Sequence, residues 1–210
     1  MKKAAFVIFL VLLIDQLSKI YVKTHFALDE HINIFGWDLA RIHFTENKGA
    51  AWGTQLNDFI TFLSEKQAKI FLTLFRIIAI SGIGYWLYTA VRENTSKILI
   101  VAISMIFAGA IGNIIDSVFY GVLFEESSRI TNNIAGFASN GNGYSSLFHG
   151  RVVDMLYFPM WSGTLPEWIP FFGGKYFTFF NAIFNVADFA ISVGVGLLIV
   201  FSKRVFPNKD

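Results

Sequence analysis

The chain has 210 residues, of which 54% are hydrophobic and 15% charged, and its mean hydropathy is +0.54. Soluble domains usually carry about 25% charged residues, so this balance places the chain in a membrane class. A net charge of +2 is too small to argue for nucleic acid as a partner, and the lack of cysteine excludes disulfides, thiolate metal sites and cysteine nucleophiles.

Four apolar stretches of roughly 20 residues each are long enough to span a bilayer, at about 4–23, 68–91, 98–119 and 179–202. The first has the Lys2 and Lys3 start of a signal peptide, but Asp15, Gln16 and Lys19 follow its apolar run where a small-residue cleavage site would stand. It is therefore expected to remain as a first helix. Basic residues set the orientation: Lys2, Lys3, Arg92, Lys97, Lys203, Arg204 and Lys209 flank the spans on one side, which is expected to be cytoplasmic with both termini. The extracytoplasmic loops are then about 24–67 and 120–178.

In the first loop, apolar Leu39, Ile42 and Phe44 interleave with Asp38, Arg41, His43 and Thr45, a pattern of half-buried strands across 32–46 with a turn at Phe35-Gly36. In the second loop, residues 125–146 are rich in Ser, Asn and Gly and read as a mobile insertion. The compact Gly150–Pro159 follows. Trp161–Phe180 is dense in Trp, Phe and Tyr, as expected of a segment at the lipid headgroups. The expected architecture is one membrane domain, 1–210: an all-α bundle of four transmembrane helices with a small extracytoplasmic β-rich element and an interfacial aromatic segment.

Charges inside spans are expensive, so each asks for a partner or a task. By helical rise, Asp15 lies roughly 18 Å from Lys3, Asp116 roughly 28 Å from Lys97, and Asp188 roughly 21 Å from Lys203. All three fall in the outer half of the membrane, and Asp154 sits in the outer loop beside them. Asp15 and Lys19 are spaced i,i+4 on one helix face. Asn113 with Asp116, and Asn185 with Asp188, are spaced i,i+3, where the amide is expected to orient its carboxylate. These pairs also suit polar stitches between helices. Asp154 with Asp188 suits chemistry better: two carboxylates brought together near a low-dielectric boundary share a proton, so one serves as base and the other as acid. Arg76 reaches the same depth, about 22 Å from the cytoplasmic end of its span. His25, His31, His43 and His149 show no metal-binding spacing, no GxSxG occurs, and Gly109 and Gly112 read as close helix packing.

Five motifs in order resemble the lipoprotein signal peptidase (signal peptidase II) family. They are Asp15-Gln-Leu-Ser-Lys19, Asn47-Lys-Gly49-Ala-Ala-Trp-Gly53, Gly109-Ala-Ile-Gly112-Asn113-Ile-Ile-Asp116, Val152-Val-Asp154 and Phe184-Asn185-Val-Ala-Asp188. The resemblance implies a metal-free, cofactor-free aspartic endopeptidase of the bacterial inner membrane, with its active site at the periplasmic face. Asp154 and Asp188 would be its catalytic dyad, supported by Asn113, Asp116 and Asn185. Asp15, Lys19, Asn47 and Gly49 would build the substrate pocket, and Arg151, outside the family's motifs, is expected to bind substrate with them. Its substrates would be diacylglyceryl-modified prolipoproteins, cut just before the lipidated cysteine. Membrane lipid would surround it, a globomycin-type inhibitor would occupy the pocket, and the chain would act as a monomer. Ser117 departs from the family, which has Arg after the third motif's aspartate; Arg76 or Arg151 is expected to supply that cation. The rival readings are a proton- or ion-coupled transporter and an inactive binding protein. No internal repeat supports the first, and the presence of both aspartates argues against the second.

Overall fold

The computed structural model describes residues 1–47, 64–139 and 141–206. Among the described residues, three helices are long and apolar enough to cross a membrane: α1 (Lys2–His25), α2 (Glu65–Arg92) and α3 (Lys97–Ile115). The third continues through a π-helical segment, Asp116–Tyr120, to a last turn at Gly121–Leu123. A shorter apolar helix, α4 (Val186–Val200), lies near the C-terminus and is followed by a terminal turn, Ser202–Val205.

The packing is inverted relative to a soluble bundle. On α1 the buried positions include Asp15, Lys19 and Lys23, whereas Phe9, Leu17 and Tyr21 are exposed. Apolar side chains on the outside suit lipid, and the polar ones inside need one another. At α2 the chain enters through a capping box: the Ser64 hydroxyl accepts from the Gln67 amide at 3.3 Å, and Gln67 Oε1 accepts from the Ser64 amide at 3.0 Å. A close helix contact joins α3 and α4 at Gly109, where a Cβ would collide with the carbonyl oxygen of Ala187. That confirms the packing role read for this glycine.

The described residues form six strands, in chain order β1 (His31–Ile34), β2 (Trp37–Asn47), β3 (Val152–Tyr157), β4 (Trp161–Thr164), β5 (Tyr176–Phe179) and β6 (Ile183–Phe184). One antiparallel sheet has the order β1-β2-β3-β6, and β4 pairs with β5 separately. The β1–β2 turn is at Phe35-Gly36, as expected, with φ of 53° and 74°. Two positive φ values match the right-handed twist of a two-residue hairpin. The sheet packs through Phe44, Val153 and Met155 onto Val22, Phe26, Tyr120 and Phe124 at one end of α1 and α3. A second apolar cluster, with Leu87, Leu99 and Ile103, closes the other end.

One expectation is corrected. The stretch 179–202 is not one helix: β5 and β6 occupy its first residues, and α4 begins only after Asn185. The insertion read at 125–146 is packed against its neighbours where it is described, at 125–139 and 141–146. Its backbone bonds to the end of α3, with Ser145 N donating to Gly121 O at 2.8 Å and Tyr144 N to Phe124 O at 3.0 Å, and Phe124 bridges to Phe137.

Candidate active site

Register places the candidate residues before any side chain is considered. Asp154 stands opposite Thr45 at the centre of the β2–β3 ladder, and Asn47 stands opposite Val152. At β6 the chain ends its pairing with β3 and turns directly into α4, so Asn185 becomes the helix N-cap beside that ladder.

Lys19 is the hub of the first network. Its Nζ lies 2.9 Å from Asp15 Oδ2 and 2.8 Å from Asp116 Oδ2, and donates to Asn113 Oδ1 at 2.9 Å. Asp15, Lys19 and Asp116 are all fully buried. One ammonium between two buried carboxylates must be supplemented by further donors. Gln16 Nε2 donates to Asp15 Oδ2 and Asp116 Oδ1, both at 3.1 Å, and the amides of Ala187 and Val153 donate to Asp15 Oδ1 at 2.9 Å and Asp116 Oδ2 at 3.3 Å. Asp15 thereby ties α1 to the first turn of α4. Gly112 makes room for it, since a Cβ there would stand 2.5 Å from Asp15 Oδ2.

The second network joins Asp154 to Asp188. Asn185 Nδ2 donates to Asp154 Oδ1 at 2.7 Å and to Asn113 Oδ1 at 3.1 Å. The Asn185 backbone amide donates to Asp188 Oδ2 at 3.3 Å, and Asn185 Oδ1 accepts from the Asp188 amide at 2.9 Å, a capping box written with Asn and Asp. Asn113 Nδ2 donates to Asp188 Oδ1 at 2.8 Å. The expected i,i+3 partnership of Asn113 with Asp116 is therefore replaced: Asn113 reaches across to Asp188, and Lys19 and Gln16 hold Asp116. Asn185 does serve its i+3 carboxylate, but through its backbone, which frees the side-chain amide for Asp154.

Asp154 is 5% exposed. Burial is the main cause that pushes its carboxyl from the ordinary 3.8 up to about 7, and the charge of Asp188 adds to it. Hydrogen bonds from Asn185 and Asn47, with the Lys19 charge, oppose the rise. Arg76 on α2 interacts electrostatically with Asp188 and Asp154. Arg151 is engaged elsewhere: it pairs with Glu46 at 3.0 Å and Glu126 at 2.6 Å and stacks on Tyr144 at 5.0 Å. Of the two arginines weighed for the place vacated at Ser117, Arg76 is the one whose charge the aspartate pair feels. Gly49 lies outside the described residues.

Sequence reasoning missed a third polar group. Lys23, fully buried, pairs with Glu46, bonds Ser127 Oγ at 3.0 Å and sits 4.9 Å above the Tyr144 ring. The spacing Asp15, Lys19, Lys23 on one helix face was a signal for it. Gln16 was missed also, being hidden between the two motif residues. Among the described residues, no group of three or more His, Cys, Asp or Glu side chains could hold a metal ion.

The arrangement is a pair of aspartates coupled through one asparagine, with an ion network behind it and a membrane bundle below. The family model described as signal peptidase (SPase) II matches residues 7–204. The lipoprotein signal peptidase of Porphyromonas gingivalis (strain ATCC 33277) is 44% identical over 204 residues, covering 97% of this chain and 84% of the relative. That of Amoebophilus asiaticus (strain 5a2) is 38% identical over 198 residues, covering 93% and 75%. A solved bacterial membrane enzyme superposes with a TM-score of 0.58 at 23% identity, over 100% of this chain and 93% of that one, and so shares the fold.

Proposed function

The chain belongs to the signal peptidase II family of lipoprotein-processing aspartic peptidases, and from that premise we propose that Asp154 and Asp188 are its catalytic dyad, cutting a prolipoprotein just before a diacylglyceryl-modified cysteine. The observation that carries the reading is the Asn185 bridge, whose side chain bonds Asp154 while its backbone amide bonds Asp188. A proton held on Asp154 near neutral pH makes it the acid of the pair. Asp188 faces two N–H donors and is presented as an acceptor, which suits a base.

The Asp188 carboxylate takes a proton from water as the water oxygen bonds to the scissile carbonyl carbon. Asp154 gives its proton to the carbonyl oxygen, forming a gem-diol. Collapse breaks the C–N bond: Asp188 passes its proton to the leaving nitrogen, and a hydroxyl returns one to Asp154. Asn113 and Asn185 hold the pair in place, Asp15, Lys19 and Asp116 fix α1, α3 and α4 around it, and Asn47 steadies Asp154. By the family resemblance of its motif, Gly49 is assigned to substrate contact, and a globomycin-type inhibitor to the same pocket.

In this reading α4 is a fourth crossing and both termini are cytoplasmic in a bacterial inner membrane. The dyad then sits near the outer surface, where a lipidated cysteine attached to a membrane-embedded signal helix presents its peptide bond. The test is cleavage of a diacylglyceryl-modified prolipoprotein by the purified protein in lipid, with the product's N-terminus identified by mass spectrometry. Release of a product beginning with the lipidated cysteine, unaffected by chelators, is expected. Cutting at another bond, or equal cutting of the unmodified precursor, would overturn the assigned cleavage position.

A further inference from the structure

Between Asp154 and Asp188 the chain leaves the main sheet and forms the β4–β5 hairpin, whose tip is Leu165–Lys175. The tip is built: Leu165 N bonds Lys175 O at 3.0 Å, Gly174 N bonds Leu165 O at 3.0 Å and Gly173 N bonds Ile169 O at 2.9 Å. Its side chains are the reverse of what water tolerates. Trp168 is 80% and Phe171 90% exposed, and Trp161, Phe172, Tyr176 and Phe179 extend the patch, with only Glu167 and Lys175 charged in the segment. An apolar surface this continuous on a defined scaffold needs an occupant.

The second observation is the length of α4. Its 15 residues rise about 22 Å, against about 30 Å of hydrocarbon. Lys203 and Arg204 mark one membrane surface just beyond its C-terminal end. The helical turn that follows α4 carries the chain on to Lys203, about 27 Å of rise from Asn185, so the N-cap lies about 3 Å beneath the other surface. The remaining depth belongs to the extended chain before it. There Ile183 and Phe184 satisfy their backbone groups by pairing with Tyr157 and Leu156, Tyr157 donates to Asn181 Oδ1 at 2.9 Å, and the rings of Phe158, Phe180 and Phe184 pack together. A two-stranded hairpin has open edges that hydrocarbon cannot satisfy, so β4–β5 belongs at the headgroups, with its aromatic side chains reaching inward. On α4, Phe189 is exposed one turn below the N-cap.

We propose that the β4–β5 hairpin is an interfacial foot, bound to the outer-surface lipid through Trp168, Phe171 and Phe172, that seats the N-cap of α4 just beneath the membrane surface. By closing the lipid side beside Asn185, it keeps the aspartate pair below the membrane surface. The proposal rests on the membrane character of the chain and the geometry of this segment, and it stands whether or not Asp154 and Asp188 are the catalytic pair.

The chain lacks cysteine, so single sites can be spin-labelled directly. Trp168→Cys, Phe189→Cys and Ile130→Cys replace exposed side chains, the last on the polar loop. In vesicles of phosphatidylethanolamine and phosphatidylglycerol, collision with lipid-soluble oxygen is compared with collision with a water-soluble nickel complex. The labels at 168 and 189 should favour oxygen severalfold, with 189 the deeper, and the label at 130 should favour nickel. A label at 168 as open to nickel as that at 130 would overturn the foot. Shielding at 168 from both reagents, as a second copy would give, overturns it equally. A label at 189 reading at the water surface would show that the N-cap of α4 is not seated beneath it, and would overturn the proposal too.

Discussion

A buried carboxyl held in its acid form costs the fold stability once it must ionise, and Asp154→Asn removes that cost. In the folded protein Asp154 keeps its proton up to about pH 7, whereas in the unfolded chain it loses it near 3.8. Between those values the native state binds more protons than the unfolded one, so the wild type loses stability as pH rises through the window and levels off above it. Three pH units correspond to about 4 kcal/mol at most. The introduced amide has no charge to bury, and its oxygen can still accept from Asn185 Nδ2, which now bonds Asp154 at 2.7 Å. Asp154→Asn should therefore be inactive yet more stable than wild type, by almost nothing near pH 4 and by about 4 kcal/mol at pH 8. Unfolding in mixed micelles, followed by tryptophan fluorescence at a series of pH values, reads the difference. A variant equally stable or less stable at pH 8 would refute the buried, proton-holding Asp154.

Other outcomes follow from the same geometry. With Asp154 as the acid, kcat/KM should fall about tenfold per pH unit above about pH 7, as its proton is lost; a profile flat to pH 9 in a fluorogenic cleavage assay would count against that role. Glu46→Gln strips the fully buried Lys23 of its carboxylate and should destabilise by about 3 kcal/mol, while Lys23→Met with Glu46→Leu recovers most of it in a double-mutant cycle. Gly112→Ala places a methyl against Asp15 and should lower kcat by about tenfold or more through displacement of the helix junction, with Gly196→Ala, whose Cβ meets nothing within 4 Å, as the silent comparison.

Much of the site was legible because charge inside an apolar run is conspicuous. Asp15, Asp116 and Asp188 could be placed at one depth by counting residues, with Asp154 in the loop beside them, and the structure joins the first three through Lys19, Asn113 and Ala187. The partner of each amide was not legible. Spacing along a helix reveals only its own face, and Asn113 uses its donor on another helix. The start of α4 was misplaced for a different reason: 179–184 is as apolar as a helix, and hydropathy alone does not separate extended chain from a helical turn. The packing of 125–146 was hidden by its polar composition, since the interactions that hold it are backbone bonds and the Ser127 and Tyr144 contacts to Lys23.

The most direct test of the dyad is turnover of a diacylglyceryl-modified prolipoprotein by Asp154→Asn and Asp188→Asn, each shown to be folded, beside wild type and Asn181→Ala in the same lipid. Each dyad variant should lose cleavage by at least about a hundredfold, and the control should keep it. Near-normal cleavage by either folded aspartate variant would contradict the assignment and move the search to Asp116.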